Sequence, residues 1–103
     1  MAYHIEYSPD AEDHLRALTA RQQAFVLDTV DEQLAHQPHI ETKNRKPLRQ
    51  PAAFGAQWEI RFGPDNRFRV LYDLDEEAHQ VQILAVGIKE GNRLIIGGEE
   101  MEL

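Results

Sequence analysis

The sequence predicts an α+β fold, in which a helical hairpin packs on one face of a mainly antiparallel sheet. Two patterns carry this prediction. Apolar and polar residues alternate near the N-terminus and again in the C-terminal half, as in half-buried strands, while two segments between them have apolar residues at helical spacing. The expected order is β-α-α-β-β-β with a final short strand. A chain of 103 residues has the size of one domain, so we expect a single domain over residues 1–103.

The first strand and the first helix are predicted close to the N-terminus. Residues 3–8 alternate apolar with polar side chains, which is the period of a half-buried strand. Ser8 followed by Pro9 predicts the start of a helix, because serine is a good N-cap and proline suits the first helical position. A single apolar stripe follows, formed by Ala11, Leu15 and Leu18.

The second helix is predicted to begin directly after the first. The stretch 19–22, from Thr19 to Gln22, fits the capping-box pattern, in which the N-cap and the residue three positions later satisfy each other's backbone N–H groups. Pro38 is expected to end the helix. The predicted buried face consists of Val26, Leu27, Val30 and Leu34.

A long connection and a set of strands are predicted after the helices. Residues 38–56 contain three prolines and part of the basic sequence, and long connections are often functional or mobile. Residues 63–66 have turn composition, and the strand at 81–88 is apolar on both faces, as central strands are. Gly97 and Gly98 are expected to precede an acidic tail. The strands are predicted at residues 58–62, 67–74, 81–88 and 93–96.

Charge is distributed unevenly along the chain. The net charge is −7, yet residues 43–69 carry +5 while residues 1–42 and residues 70–103 each carry −6. The net acidity argues against a nucleic-acid ligand, but a local positive field is what an anionic partner meets. The alternative is that the basic side chains pair with the acidic flanks on an ordinary solvated surface.

Several function classes are excluded by composition. Cysteine is absent, which rules out a disulfide scaffold, a thiolate zinc site and a cysteine nucleophile, and suits a reducing cytoplasm. The five histidines form no metal motif, and no phosphate-binding loop occurs, so we expect no metal and no cofactor. The longest apolar run, Ile83–Ile88, is far shorter than a membrane span, and no export signal is recognisable. We therefore expect a cytoplasmic protein with no membrane partner.

The predicted strand hairpin collects charge on one face. If Trp58, Ile60 and Phe62 pack against the helices, the intervening side chains must point to the opposite face. With a turn at 63–66, the natural registers place Arg61 opposite Arg69 or Arg67. Like charges directly opposite each other are unfavourable, so either an anion binds there or acidic neighbours neutralise the patch. The outward-facing residues are Glu59, Arg61, Arg67 and Arg69.

These residues resemble those of a known family. Four motifs carry the likeness, in the same order and spacing, over residues 3–96: Tyr3-x-Ile5-x-Tyr7-Ser8-x-x-Ala11-x-x-x-Leu15-x-x-Leu18, Trp58-Glu59-Ile60-Arg61, Phe68-Arg69-Val70-Leu71-Tyr72 and Val86-Gly87-Ile88-Lys89. The chain is similar to the RelE/ParE superfamily of toxins from type II toxin–antitoxin systems.

The resemblance implies one of two activities. RelE-like members are metal-independent endoribonucleases that cleave mRNA in the ribosomal A site, and ParE-like members inhibit DNA gyrase without chemistry. We expect the RelE-like activity, with Glu59 where the family carries a lysine and no tyrosine after residue 72. The expected catalytic residues are Arg61, Arg69, Lys89 and Glu59, where Glu59 acts as a base or only as a counter-charge. The expected RNA-binding residues are Lys43, Arg45, Lys46, Arg49 and Arg67.

The resemblance also implies partners. A cognate antitoxin protein and ribosome-bound mRNA are expected for a RelE-like toxin, and DNA gyrase replaces the mRNA in the ParE-like alternative. A third alternative is a degenerate member that binds only its antitoxin and operator DNA. The expected assembly is a homodimer or a toxin–antitoxin hetero-oligomer.

Overall fold

The computed structural model describes residues 2–101, and these form two helices and seven strands. The predicted α+β class is confirmed. The helices are α1 (Pro9–Arg16) and α2 (Ala20–Leu34). The strands are β1 (His4–Tyr7), β2 (Arg45–Pro47), β3 (Trp58–Phe62), β4 (Phe68–Asp75), β5 (Gln80–Glu90), β6 (Arg93–Ile96) and β7 (Glu99–Met101).

The strands form one sheet, in which β5 is the central element. The order along the sheet is β2-β3-β4-β5-β6-β7, with antiparallel pairing between all neighbours. β1 is the exception, because it pairs parallel with the first half of β5, from His4 opposite Gln80 to Tyr7 opposite Ile83. The predicted central position of this long apolar strand is confirmed.

The main core lies between the two helices and the sheet. Both predicted helix caps form: Ser8 Oγ accepts from Ala11 N, and Thr19 and Gln22 make the reciprocal capping box. Leu27 was expected to be buried and is 39% exposed, because α2 turns it away from the sheet. The fully buried side chains of this core include Val26, Val30, Leu34, Ile60, Val70, Tyr72, Val81 and Ile83.

A β-bulge keeps β5 in phase with this core. Leu71 pairs with Ala85, but the next residue, Tyr72, pairs with Ile83, so Leu84 has no partner on β4. An extra residue of this kind restores the inward direction of the apolar side chains on both sides of the bulge. Ile83 and Val86 therefore both pack in the main core, although they are three positions apart.

Helix α1 lies beside the gap that β1 and β6 leave along β5. β1 pairs only as far as Ile83 and β6 begins pairing at Gly87. In the gap, Ser8 Oγ donates to the Leu84 carbonyl at 3.4 Å, and Val86 N donates to His14 Nδ1 at 3.2 Å. Side chains at the start and end of α1 thus satisfy backbone groups that no strand reaches.

The face of the sheet opposite the helices is also covered. Residues 48–57, predicted to be part of an open connection, fold back over this face, and their ends are held together by a hydrogen bond from Leu48 N to the Gln57 carbonyl. The cover creates a second small apolar cluster that the sequence analysis did not predict. Its buried members are Ala56, Leu71, Ala85, Leu94 and Ile96, with Leu48, Leu84 and Met101 packed against them.

Three details differ from expectation. The predicted connection contains β2, whose residues pair with β3. The segment after Gly98 is strand β7 as far as Met101, rather than a tail; residues 102 and 103 lie outside the described part. Trp58, placed by its alternation on the helix side, is only half-buried there and stacks on Tyr72 with ring centroids 6.1 Å apart.

Neither helix within residues 2–101 has the length and apolar composition of a membrane span.

Leu34 and Leu27 offer a matched test of how α2 faces the sheet. Leu34 is fully buried whereas Leu27 is 39% exposed. We expect Leu34→Ala to lower the free energy of unfolding by about 2–5 kcal/mol, because it removes a buried side chain and leaves a cavity. Leu27→Ala should change it by only about 0.5 kcal/mol. Urea unfolding followed by circular dichroism measures both, and equal losses would show that α2 is rotated from the described orientation.

His14 makes the stability of the α1 contact depend on pH. Burial lowers the pKa of His14 below its usual value, and Asp10 and Asp13 oppose this only in part. Because the pKa of His14 is lower in the folded state, protonation of His14 favours unfolding. The contribution of neutral His14 to stability is therefore complete above the unfolded pKa of about 6.5 and declines as the pH falls. We expect the stability difference between wild type and His14→Asn, which keeps an acceptor for Val86 N, to shrink from pH 8 to pH 5. A difference that is constant with pH would contradict this contact.

Candidate functional site

A groove lies on the sheet face opposite the helices, between the strands and the 48–57 cover. Its volume is about 500 Å³. One wall is apolar and the other is charged, since four of the lining residues are cations and one is a carboxylate. The apolar lining consists of Leu48, Pro51, Ala52, Ala53, Leu71 and Leu94, and the charged lining consists of Lys46, Glu59, Arg61, Arg69 and Lys89.

The pairing of the strands arranges the charged residues on β2, β3 and β4 in two cross-strand pairs. Arg61 on β3 lies directly opposite Arg69 on β4, which confirms the first of the two predicted registers. Lys46 on β2 lies directly opposite Glu59 on β3. Glu59 and Arg61 are two residues apart on β3, and side chains alternate strictly between the faces of a sheet, so both pairs point into the groove. The like-charged pair is thus next to the one carboxylate of the lining residues.

Glu59 bridges the two arginines. One carboxylate oxygen accepts from Arg61 Nε at 2.7 Å, and the other lies 3.9 Å from Arg69 Nη1. The alternation along the strands correctly placed all three side chains on the face opposite the helices, but it did not predict how deeply two of them are buried. The side chains of Glu59 and Arg69 are only 9% and 7% exposed, whereas that of Arg61 is 34% exposed. The groove therefore has charge at its base as well as at its rim.

Arg69 is the most enclosed cation of the groove. Its Nε donates to the backbone carbonyl of Asn66 at 3.1 Å. Burial lowers the pKa of Arg69, the nearby Arg61 lowers it further, and Glu59 raises it in part. A guanidinium nevertheless remains protonated under all ordinary conditions, so the group is a permanent charge with low hydration. Such a charge attracts an entering anion strongly.

Lys89 connects this groove to a neighbouring one. It lies on β5 at the end of the groove, and its backbone N–H donates to the Arg67 carbonyl at 2.7 Å. The side chain of Arg67 lies outside the groove, 3.8 Å from Glu90, and lines the adjacent depression together with Lys89. The expected catalytic residues are thus brought together, and Arg67 borders them.

The other expected RNA-binding residues lie in three different places. Lys46 lines the groove, whereas the exposed Lys43 and Arg49 are not among the lining residues. Arg45 lies opposite Ile60 and therefore on the helix side of the sheet, where it is 8% exposed and donates to the Gln33 carbonyl at 2.6 Å. Its expected exposure to a ligand is corrected, because it holds the end of α2 against β2.

Comparison with solved structures identifies a related fold. The chain is similar to a chain of the crystal structure of the toxin–antitoxin complex RelBE2 from Mycobacterium tuberculosis, with a TM-score of 0.71 and 28% sequence identity. The match covers 86% of this chain and 100% of that chain. This likeness supports the predicted relation of the chain to the RelE-like toxin superfamily. No protein-family model matches the sequence, and no curated protein matches it either.

The RelE-like sheet of this chain also carries groove residues that the sequence analysis missed. The apolar wall was not predicted, although Leu71 was a signal, since it falls on the face of β4 that was expected to be polar. Leu94, on the same face of β6, was a second signal. The backbone carbonyl of Asn66 had no signal in the sequence, because any residue supplies a carbonyl.

The groove residues can act mainly through their charges. Arginine and lysine stabilise negative charge, and Glu59, Lys46 and Lys89 are the lining residues able to transfer a proton. Among residues 2–101, no three His, Cys, Asp or Glu side chains come together as a metal site. The arrangement suits an anion with an apolar part, which would lie against Leu71 and Leu94.

Removing the Glu59 charge should strengthen anion binding in the groove. Glu59→Gln keeps the size of the side chain but no longer competes with an anion for Arg61 and Arg69. We expect inorganic phosphate to bind this variant about tenfold more tightly than wild type, equivalent to about 1.4 kcal/mol. The rise of the melting temperature with phosphate concentration, at ionic strength held constant with chloride, measures the affinity. Lys43→Gln, outside the groove, is the matched control and should behave as wild type.

Proposed function

We propose that this chain is the toxin of a type II toxin–antitoxin system and that it inhibits translation by cleaving ribosome-bound mRNA. The observation that carries the proposal is the groove, where four cations surround Glu59 beside an apolar wall. Single-stranded RNA has matching features, because its phosphates are anionic and its unstacked bases present apolar faces. The likeness to a chain of a toxin–antitoxin complex supports the toxin role.

The proposed reaction is an attack of the RNA 2′-hydroxyl on the adjacent phosphorus. The bond from phosphorus to the 2′-oxygen forms, the bond to the 5′-oxygen breaks, and a 2′,3′-cyclic phosphate remains. Negative charge develops on the non-bridging oxygens, and Arg61 and Arg69 would stabilise it through charge-assisted hydrogen bonds. Lys89 would neutralise the departing 5′-oxygen or give it a proton.

Glu59 has two candidate roles in this reaction. As a base, it would take the proton of the 2′-hydroxyl, which requires hydrogen-bond reach of that group. As a counter-charge, it would only hold Arg61 in place and partly neutralise the two arginines, and the proton of the 2′-hydroxyl would pass to a water molecule. Its 2.7 Å hydrogen bond from Arg61 Nε favours the second role, because it commits one carboxylate oxygen to the protein.

An antitoxin is the proposed protein partner. Antitoxin segments of this kind are disordered until they bind, and a segment with acidic side chains would complement the basic residues 43–69. The proposed location is the cytoplasm, and the assembly is a homodimer or a toxin–antitoxin hetero-oligomer.

One observation favours a second function. None of the groove-lining residues is a histidine or a tyrosine, and the only lining carboxylate is already bonded to Arg61. A groove with few proton-transfer groups suits a protein that binds its target without chemistry. Inhibition of DNA gyrase is therefore the second candidate.

Expression of the chain alone separates the two functions. We expect incorporation of labelled amino acids to stop before incorporation of labelled thymidine. Arg69→Gln should reduce RNA cleavage by about 10²–10³-fold, as loss of a donor to a developing anion does in other enzymes. If DNA synthesis stops first and Arg69→Gln remains fully toxic, the gyrase candidate replaces the nuclease.

Arg93 provides the matched control for this experiment. It is an exposed arginine on β6, it lies 3.8 Å from Glu100, and it does not line the groove. Arg93→Gln should keep full toxicity. Glu59→Gln added as a third variant distinguishes the roles of Glu59, since loss of a base stops cleavage while RNA still binds, whereas loss of a counter-charge leaves cleavage intact.

A further inference from the structure

The turn between β3 and β4 has an unusual backbone. Asp65 and Asn66 both have left-handed backbone angles, with φ of 56° and 49°. Two hydrogen bonds close the turn, from Asn66 N to the Gly63 carbonyl at 3.0 Å and from Arg67 N to the Pro64 carbonyl at 3.1 Å. Residues other than glycine rarely adopt such angles, and asparagine and aspartate tolerate them best. The sequence at this turn therefore suits its shape.

The shape of the turn directs one backbone group at the groove. The Asn66 carbonyl accepts a hydrogen bond from Arg69 Nε at 3.1 Å. A guanidinium binds a phosphate either through Nε and one terminal nitrogen or through its two terminal nitrogens. With Nε occupied, Arg69 has only the second mode left, in which the phosphate would compete with Glu59 for Nη1, 3.9 Å from its carboxylate. Arg61 is restricted in the same way, because its Nε donates to Glu59.

We infer that Asn66 is a positioning residue: its left-handed backbone fixes Arg69 so that this arginine binds an RNA phosphate only through its two terminal nitrogens. The inference rests on the proposed function in naming RNA phosphate as the ligand. The role belongs to the backbone of Asn66 rather than to its side chain. It acts through Arg69, which is the group that touches the phosphate.

Gly63 makes the same turn hard to replace. Its φ is 80°, and a Cβ atom built there would lie 2.8 Å from Cδ2 of Phe68 and 3.1 Å from Cε2 of Phe25. The start of the turn thus packs against Phe68 of the main core and the partly exposed Phe25, and its end carries the carbonyl that holds Arg69. Packing on the helix side of the sheet is in this way connected to the geometry of the groove on the other side.

Two substitutions separate the backbone of Asn66 from its side chain. Asn66→Gly removes the side chain and keeps the left-handed angles, whereas Asn66→Val strongly disfavours them. We expect the Arg69 Hε proton to exchange slowly with solvent in wild type and in Asn66→Gly, and quickly in Asn66→Val. Nitrogen-15 NMR of the arginine side chains measures this exchange, and the spectrum of Arg69→Lys identifies the signal.

RNA binding supplies the second measurement. We expect Asn66→Val to weaken binding of a single-stranded oligouridylate by about tenfold, since a displaced binding group loses its alignment, and Asn66→Gly to bind as wild type. In an Arg69→Lys background, which keeps the charge but has no Nε, Asn66→Val should have no further effect. If Asn66→Val does not fold, Asn66→Ala tests the same point with a smaller expected loss.

The outcomes decide the inference separately from the proposed function. Slow Hε exchange in Asn66→Val, or an equal loss of binding in the Arg69→Lys background, would overturn the positioning role. Weak binding by Asn66→Gly would show that the side chain acts directly and would also overturn it. If wild type does not bind the oligouridylate, the proposed function fails, and the Hε exchange together with the affinity for inorganic phosphate still decides the role of Asn66.

Discussion

The charged side of the groove depends on one unfavourable arrangement, the placement of Arg61 directly opposite Arg69 on neighbouring strands. Like charges in such a position repel, and a buried arginine needs partners for its hydrogen bonds. Glu59 and the Asn66 carbonyl are those partners, and each accepts a hydrogen bond from the Nε atom of one arginine, while Glu59 also lies 3.9 Å from Arg69 Nη1. The protein thus stabilises the pair without using all of its donors. What remains is a preorganised cationic site in a partly dehydrated groove, which is the condition under which fixed charges act most strongly.

The strand hairpin was predictable because the residues that determine it are close together in the sequence. A turn at 63–66 and strict alternation on both sides allowed only two natural registers, and the observed one places Arg61 opposite Arg69. The cover over the groove was not predictable in this way, because residues 48–57 have no periodic pattern. Its burial depends on contacts with residues far along the chain, including Leu71 and Leu94. Those two leucines, on a face expected to be polar, were the available evidence that something covers that face.

The candidate site was predictable to the same extent as the sheet. The alternation of side chains along the two strands was enough to place Glu59 on the same face as Arg61 and Arg69, and the structure agrees. The same reasoning could not be applied to Arg45, because its strand was not recognised within a proline-rich connection. The register of β2 against β3 places Arg45 on the helix side. The degree of burial could not be derived either, since a charge pattern indicates which face a residue occupies and not how deeply it is covered.

The position of β5 has a consequence for the order in which the molecule is assembled. β1 pairs with residues 80–83, so the beginning of the chain has no strand partner until most of the chain has been synthesised. The contacts of α1 with β5 wait equally long. Pairing across such a sequence separation is slow to form, because a long loop must close first. Lys89 and Leu94 reach the groove later still. A partly synthesised chain therefore lacks both a complete sheet and a complete groove, and it has neither until its last strands emerge from the ribosome.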